Sequence, residues 1–268
     1  MRRAAAIAIA GAMLSCAVLL PLALILKQAV TPDAESFAWP PTWLPRQPTL
    51  DNFRALLGSA ELPYGLRLSV AVALLTVLST LTLTVSAAWA AARVSPVGRR
   101  LDAVLVVVRV FPSLALAVPM AVLFVRFGLY NNPAGIGLWI AHTLVALPFA
   151  FFVLRNAFRR IPVELEEAAQ LDGATRFGAV WRVTLPLARP SLAAAALLVF
   201  LVSWDEFAYA LLLQVTNRPL PPLLYYFSAF GYPGMASAVA AIMLLPALAI
   251  IAVLAPAIRA GGLSGSGR

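Results

Sequence analysis

Few residues in this chain are able to do chemistry. Among 268 residues there is one histidine, His142, one cysteine, Cys16, and one lysine, Lys27. A zinc centre or an internal disulfide needs more ligands or sulfurs than His142 and Cys16 supply. Lys27 stands in Ile25-Leu26-Lys27-Gln28, whereas a phosphate-cradling loop takes Gly-x-x-x-x-Gly-Lys-Ser/Thr, so no Walker-type site for ATP hydrolysis is expected. No catalytic residue, metal site or cofactor is expected in the chain itself. What remains is a set of ionisable groups inside apolar runs: Arg109, His142, Asp205 and Glu206. A charge at the middle of a bilayer costs about 3 kcal/mol on insertion scales, which makes each of them a candidate site. Trp204, Asp205, Glu206 and Tyr209 combine carboxylates with aromatic faces, a set suited to lining a path for hydroxyl-rich rings. The alternative is a structural ion pair between Arg109 and one carboxylate. At the helical rise Arg109 lies about 12 Å and Asp205 about 21 Å from the charged ends of their runs, so that pair needs helix tilt. His142 reads as a packed, hydrogen-bonded side chain rather than a proton carrier.

The elements that position these groups follow from composition. Hydrophobic residues make up 62% of the chain and charged residues 12%, more apolar surface than a water-soluble domain of this length could cover. Six apolar runs, Ala4–Leu26, Leu68–Ala92, Leu101–Val125, Ala134–Leu154, Ser191–Leu213 and Met235–Ile258, are each long enough for a hydrocarbon core that takes about 20 helical residues. The expected fold is all-α, a polytopic membrane protein with six transmembrane helices forming one domain over residues 1–268. The first run follows Met1-Arg2-Arg3, outlasts the apolar core of an ordinary signal peptide and is followed by no A-x-A-like cleavage site, so it is expected to be a span. Pro112, Pro119, Pro148 and Pro246 fall inside runs, either as packing kinks or as breaks that line a pathway.

The net charge of +9 does not indicate nucleic acid, because the arginines form short clusters between apolar runs. On alternate sides of the six runs, thirteen Arg or Lys residues fall on the side of both termini and six on the other, with Arg109 inside a run. Both termini are therefore expected in the cytoplasm. On the opposite side, Gln28 to Tyr64 reads as an irregular proline-rich loop with Trp39 and Trp43 at the membrane interface.

The longest polar segment between runs, residues 155–190, faces the cytoplasm on this reading. Pro162 and the acidic Glu164, Glu166 and Glu167 suit the start of a short helix. Leu165, Ala168 and Ala169 form a narrow face on it, and Gly173 supplies a left-handed stop. A second short helix, Arg176 to about Val183, is expected to end before Pro186. Such a helix–Gly–helix unit fits either insertion into another protein's groove or an amphipathic position on the membrane surface.

The stretch Glu167-Ala168-Ala169-x-x-x-Gly173, followed by Val183-x-Leu185-Pro186, resembles the EAA motif of permease subunits from binding-protein-dependent ABC importers. Leu165 to Ala174 is similar to its fuller form in the carbohydrate importers of the maltose-permease type. So are Thr49-Leu50-Asp51-Asn52-Phe53, Leu147-Pro148-Phe149-Ala150, Ser203-Trp204-Asp205-Glu206-Phe207 and Gly262-Leu263-Ser264-Gly265. The resemblance implies a type I ABC importer permease fold in a bacterial or archaeal inner membrane. It further implies a second homologous permease, two ATPase subunits that bind ATP and Mg, and an extracytoplasmic sugar-binding protein. The EAA segment is then the coupling helix, with Glu167, Ala168, Ala169, Asp172, Gly173 and Ala174 as the face that docks the ATPase. Val183 replaces the family's commoner Ile, Asp205 stands where an amide is more usual, and the tail Gly265-Ser266-Gly267-Arg268 is shorter than the family's typical ending. In the maltose type, the loop matching Asn217 to Gly234, rich here in Pro and Tyr, reaches toward the binding protein; the other reading is an aromatic belt at the membrane surface.

Overall fold

The computed structural model describes residues 2–263, within which every regular element is a helix. The last two residues of the Gly262-Leu263-Ser264-Gly265 motif, and the tail to Arg268, lie outside the described residues. In chain order the helices are α1 (Arg2–Ala29), α2 (Asp33–Ser36), α3 (Asp51–Gly58), α4 (Glu61–Arg93), α5 (Ser95–Val110), α6 (Ser113–Arg126) and α7 (Ile136–Arg159). They continue with α8 (Glu164–Leu171), α9 (Arg176–Ala179), a π turn (Val180–Thr184), α10 (Leu185–Leu187), α11 (Arg189–Trp204), α12 (Ala208–Leu213), α13 (Leu220–Ala229) and α14 (Pro233–Leu263). Two compact units emerge, residues 1–65 with 222–268 and residues 66–221.

In the first unit α1 packs along α14, and α3 packs on α14 as well. The sequence reading of Gln28 to Tyr64 as irregular holds only in part, because Asp51 opens α3, an eight-residue helix. Asn52, buried in that helix, donates from Nδ2 to the carbonyls of Ala29 (3.0 Å) and Thr31 (2.9 Å), satisfying acceptors at the end of α1. Gly234 passes so close that a Cβ there would lie 2.4 Å from the Asn52 amide. The preceding loop is closed by Glu35, whose carboxylate accepts from the Arg46 backbone N–H (2.9 Å) and the Thr42 hydroxyl (2.9 Å). Trp39 and Trp43 stay exposed.

In the second unit α7 packs against α11, and α12 packs on both α6 and α7. The α6–α7 loop is tied to the segment after α12 by Asn131: its N–H donates to Leu213 O (2.9 Å), and its side-chain amide donates to Thr216 Oγ1 (2.6 Å). The buried Gln214 donates to Asn132 O (3.0 Å) across the same junction. At the far end of α7, Arg155 is buried and donates to Asp102 of α5.

Among the described residues three helices, α1, α4 and α7, are long and apolar enough to cross a membrane; the number rises to five if each of two bent pairs is one span. The single helix expected over Leu101–Val125 is instead α5 and α6, which meet at 93°. Phe111 is extended (ψ 132°), as a residue before proline prefers, and Pro112 has no N–H with which to continue α5. Pro119, Pro148 and Pro246 stay within helices, so Pro112 alone of the four ends one. The fifth run is interrupted too, because Asp205, Glu206 and Phe207 separate α11 from α12. The sixth falls in α14, a helix of 31 residues. The segment expected as a loop between the last two runs contains α13, since Pro221 and Pro222 sit in its first turn, where a missing N–H breaks no bond.

Candidate functional site

The polar segment folds as its residues direct. Pro162 and Val163 lead into α8, whose first turn carries Glu164, Glu166 and Glu167 at the positive end of the helix dipole. The helix ends where Asp172 N–H donates to Ala168 O (3.0 Å) and Ala174 N–H to Ala169 O (2.9 Å). Between them Gly173 adopts φ +90°, a conformation that a side chain disfavours. Thr175 then caps α9, its Oγ1 accepting from Gly178 N–H at 3.0 Å. The second helix does not stop before Pro186 as the sequence suggests. A π turn over Val180–Thr184 precedes Leu185-Pro186-Leu187, and its wider register gives the proline ring room where an α turn would clash with a carbonyl.

The exposed surface of this unit is formed by Leu165, Glu167, Ala168, Leu171, Asp172 and Gly173, with Ala169 and Ala174 half-buried. Leu171 is 90% exposed, an apolar side chain left uncovered at the tip of the segment. The opposite side of α8 is dominated by Glu166, which is 5% exposed. Its Oε1 accepts from Arg93 Nη2 (2.6 Å) and Nε (3.2 Å), Thr184 Oγ1 (2.7 Å) and Trp89 Nε1 (3.2 Å). Burial alone would raise this carboxyl, but the hydrogen bonds from Arg93, Thr184 and Trp89, with the Arg93 charge, outweigh it and hold Glu166 below its ordinary range. The motif reading missed Glu166, its three partners and Leu171. The only sequence signal for Glu166 is helical phase, which sets it about 200° round the helix from Ala168.

The candidate path residues are spread across the break between α11 and α12. Trp204 is buried and stacks on Phe200 at 5.7 Å. Glu206 turns inward, where its carboxylate accepts from Tyr209 N–H (2.9 Å) at the start of α12 and lies 3.6 Å from His142 Nε2. His142 is buried, with Nδ1 hydrogen-bonded to Ser203 Oγ at 2.8 Å, the packed histidine that the sequence reading expected. Asp205 is exposed. Arg109 ends α5 with its guanidinium 4.3 Å above the Phe149 ring of α7, and among the described residues it forms an ion pair with neither Asp205 nor Glu206. The pairing fails because the bend at Pro112 turns the end of α5 toward the middle of α7. Arg109, Phe149 and Tyr209 share the lining of a cavity of about 580 Å³ with Ser113 and apolar side chains.

Among the described residues no group of three or more His, Cys, Asp or Glu side chains is placed to hold a metal ion.

Residues 81–260 match the family described as the binding-protein-dependent transport system inner membrane component. The chain is 33% identical to the sulfoquinovosyl glycerol transport system permease protein SmoH of Agrobacterium fabrum, covering 92% of this chain and 89% of that one. It is also 33% identical to the trehalose transport system permease protein SugB of Mycobacterium tuberculosis, covering 83% of each. In fold it is similar to a chain in the crystal structure of a bacterial ABC transporter involved in the import of the acidic polysaccharide alginate. The TM-score there is 0.73 at 20% identity, over 96% of this chain and 95% of that one.

Proposed function

Because this chain belongs to the family of binding-protein-dependent transport system inner membrane components, we propose that it is a permease subunit of an ATP-driven importer that carries a sugar or related polyol. The sugar assignment is supported by relatives named for sulfoquinovosyl glycerol and trehalose. The observation that carries the coupling role is the α8–Gly173–α9 unit, which leaves Leu171 exposed beside Ala168 and Asp172. An uncovered leucine at the tip of a short helix is a surface shaped for another protein's groove.

On this reading α8 docks a cytoplasmic ATPase through Glu167, Ala168, Ala169, Asp172, Gly173 and Ala174, with Leu171 added to that face. Two ATPase subunits bind ATP and Mg, a second homologous permease completes the pathway, and an extracytoplasmic binding protein delivers the sugar. Membrane lipid surrounds six spans, the bent α5–α6 pair and the interrupted fifth run counting as one each and α14 supplying the last. Both termini are cytoplasmic, in keeping with the arginine excess on that side. Transport proceeds by alternating access, as closure of the ATPases moves the coupling helices. Asp205 and Tyr209 are the path residues that geometry favours, Asp205 by its exposure and Tyr209 by its place in the cavity; Trp204 and Glu206 serve that region by packing and capping.

The test is copurification and uptake. The tagged chain, purified from its own membranes, is expected to carry an ATP-hydrolysing subunit, and deleting that subunit is expected to abolish uptake. Uptake that survives the deletion and follows an ion gradient identifies a secondary transporter instead. Fusions of a reporter active only in the cytoplasm are expected to give signal after Arg160 and none near Arg46 or Arg218; the reverse pattern overturns the orientation.

A further inference from the structure

Glu166 is flanked by exposed residues on both sides, Leu165 and Glu167, yet is itself buried, and one of its oxygens collects four hydrogen bonds. Two come from Arg93 and one from Trp89, on the last turns of α4; one comes from Thr184, the final residue of the π turn. Arg93 reaches further, donating from Nη1 to Phe158 O (2.9 Å) in the last turn of α7. A single carboxylate thus joins α8 directly to α4 and the π turn, and through Arg93 to α7. Its side of α8 faces the rest of the second unit, and the exposed face of Ala168 and Asp172 points away from it.

A buried ion pair is a poor device for stability, because desolvation offsets most of the attraction. Its distinctive effect is directional. The hydrophobic effect is non-directional, whereas a carboxylate held by a guanidinium, an indole N–H and a hydroxyl has one favourable position. The Arg93 guanidinium also lies at the C-terminal, negative end of the α4 dipole, so displacing it forfeits a second interaction.

We propose that Glu166 is a positioning residue for energy coupling, the link that makes α8 and the end of α4 move as one body, so that a push on the exposed face of α8 is delivered to α4 instead of being absorbed by the flanking loops. The proposal rests on the function proposed above, since it takes the push to come from an ATPase seated on α8. Glu166 is buried and acts through Arg93.

The experiment uses the assembled complex in vesicles and reads substrate transported per ATP hydrolysed. Glu166→Ala is expected to lower that ratio by about tenfold or more, in the range of coupling between linked sites, with the ATPase still associated. Glu166→Gln, which retains an acceptor for Thr184 and Trp89, is expected to fall between Glu166→Ala and the native chain. An unchanged ratio in Glu166→Ala overturns the proposal, as does a fall in uptake matched by loss of the ATPase from the complex. Spin labels at Glu164 and Val94, both exposed, provide a readout in a chain that keeps the link. Their separation is expected to stay fixed between nucleotide-free and ATP-bound states, and a change of more than about 5 Å, one helical turn, overturns the proposal. If no ATPase accompanies the native chain, the proposed function fails as well; if one does and the ratio is unmoved, only the link fails.

Discussion

Arg109 holds its guanidinium 4.3 Å from the centre of the Phe149 ring, at the elbow where α5 ends and opposite the middle of α7. The contact is worth about 0.5–2 kcal/mol, depending on how far it is desolvated. Phe149→Leu is therefore expected to cost about that much in thermal stability. Arg109→Gln and Asp205→Asn are expected to act independently, their effects adding to within about 0.5 kcal/mol in the double variant. A coupling well beyond that value in the four-member cycle would establish an ion pair that the geometry lacks.

Gly173 has φ +90° and no heavy atom within 4 Å of the place a Cβ would occupy. The penalty for a side chain there is conformational rather than steric. Gly173→Val is expected to cost about 1–3 kcal/mol of local order and to turn the exposed face of α8, so that ATPase copurification and uptake are lost while the chain still inserts in the membrane. Uptake near the native rate would show that the turn does not set the docking face.

Asn52 and Gly234 form a second local test. Asn52→Ala leaves the Ala29 and Thr31 carbonyls without their donor and is expected to cost about 1–3 kcal/mol. Gly234→Ala forces a Cβ against the Asn52 amide and is expected to disturb the same bonds. The double variant should be less damaged than the sum of the two, because shortening Asn52 clears the space the new methyl needs. Additive losses in thermal unfolding would mean that Gly234 matters for another reason.

Glu166 also sets a pH dependence. Its folded carboxyl is held below the ordinary range, chiefly because the hydrogen bonds from Arg93, Thr184 and Trp89 overcome the effect of burial, so the folded state binds a proton less readily than the unfolded chain. The stability this contributes is fully present above the ordinary glutamate value of about 4.3 and is lost as pH falls through the lowered folded value. Hydrogen exchange on the α8 amides should show protection constant from neutral pH down to about 5 and falling below it, with that acid limb reduced in Glu166→Gln. Protection that declines as pH rises would contradict the sign.

How far the sequence speaks depends on how local the physics is. Gly173 was legible because a left-handed residue after a run of helix formers is a property of the chain itself, whereas Pro112 reads like Pro119, Pro148 and Pro246, and nothing local marks it as the one that ends a helix. Composition alone pointed to an all-helical membrane protein. Glu166 was not legible as an anchor: its partner Arg93 is 73 residues away in the chain, and only the packed fold brings them together. Arg93 and Arg155 read as loop charges that orient the chain, yet Arg93 is half-buried and paired with Glu166, and Arg155 is buried and paired with Asp102. Asn52 likewise sits in a recognised motif, but its role as the cap of α1 appears only once Ala29 and Thr31 lie beside it. The alternative that paired Arg109 with a carboxylate failed because depth along a run says nothing about the direction in which a bent helix points.

The exposed Leu171 also bears on how the cell keeps count of its subunits. On the proposed docking, surplus copies of this chain would display an apolar tip that an assembled copy hides, a signal of the kind chaperones and membrane proteases act on. Overproduced alone, the chain is expected to turn over quickly, and Leu171→Asp would lengthen the lifetime of the orphan while barring it from the complex. The side chain that recruits the partner would then also mark the copies that never found one.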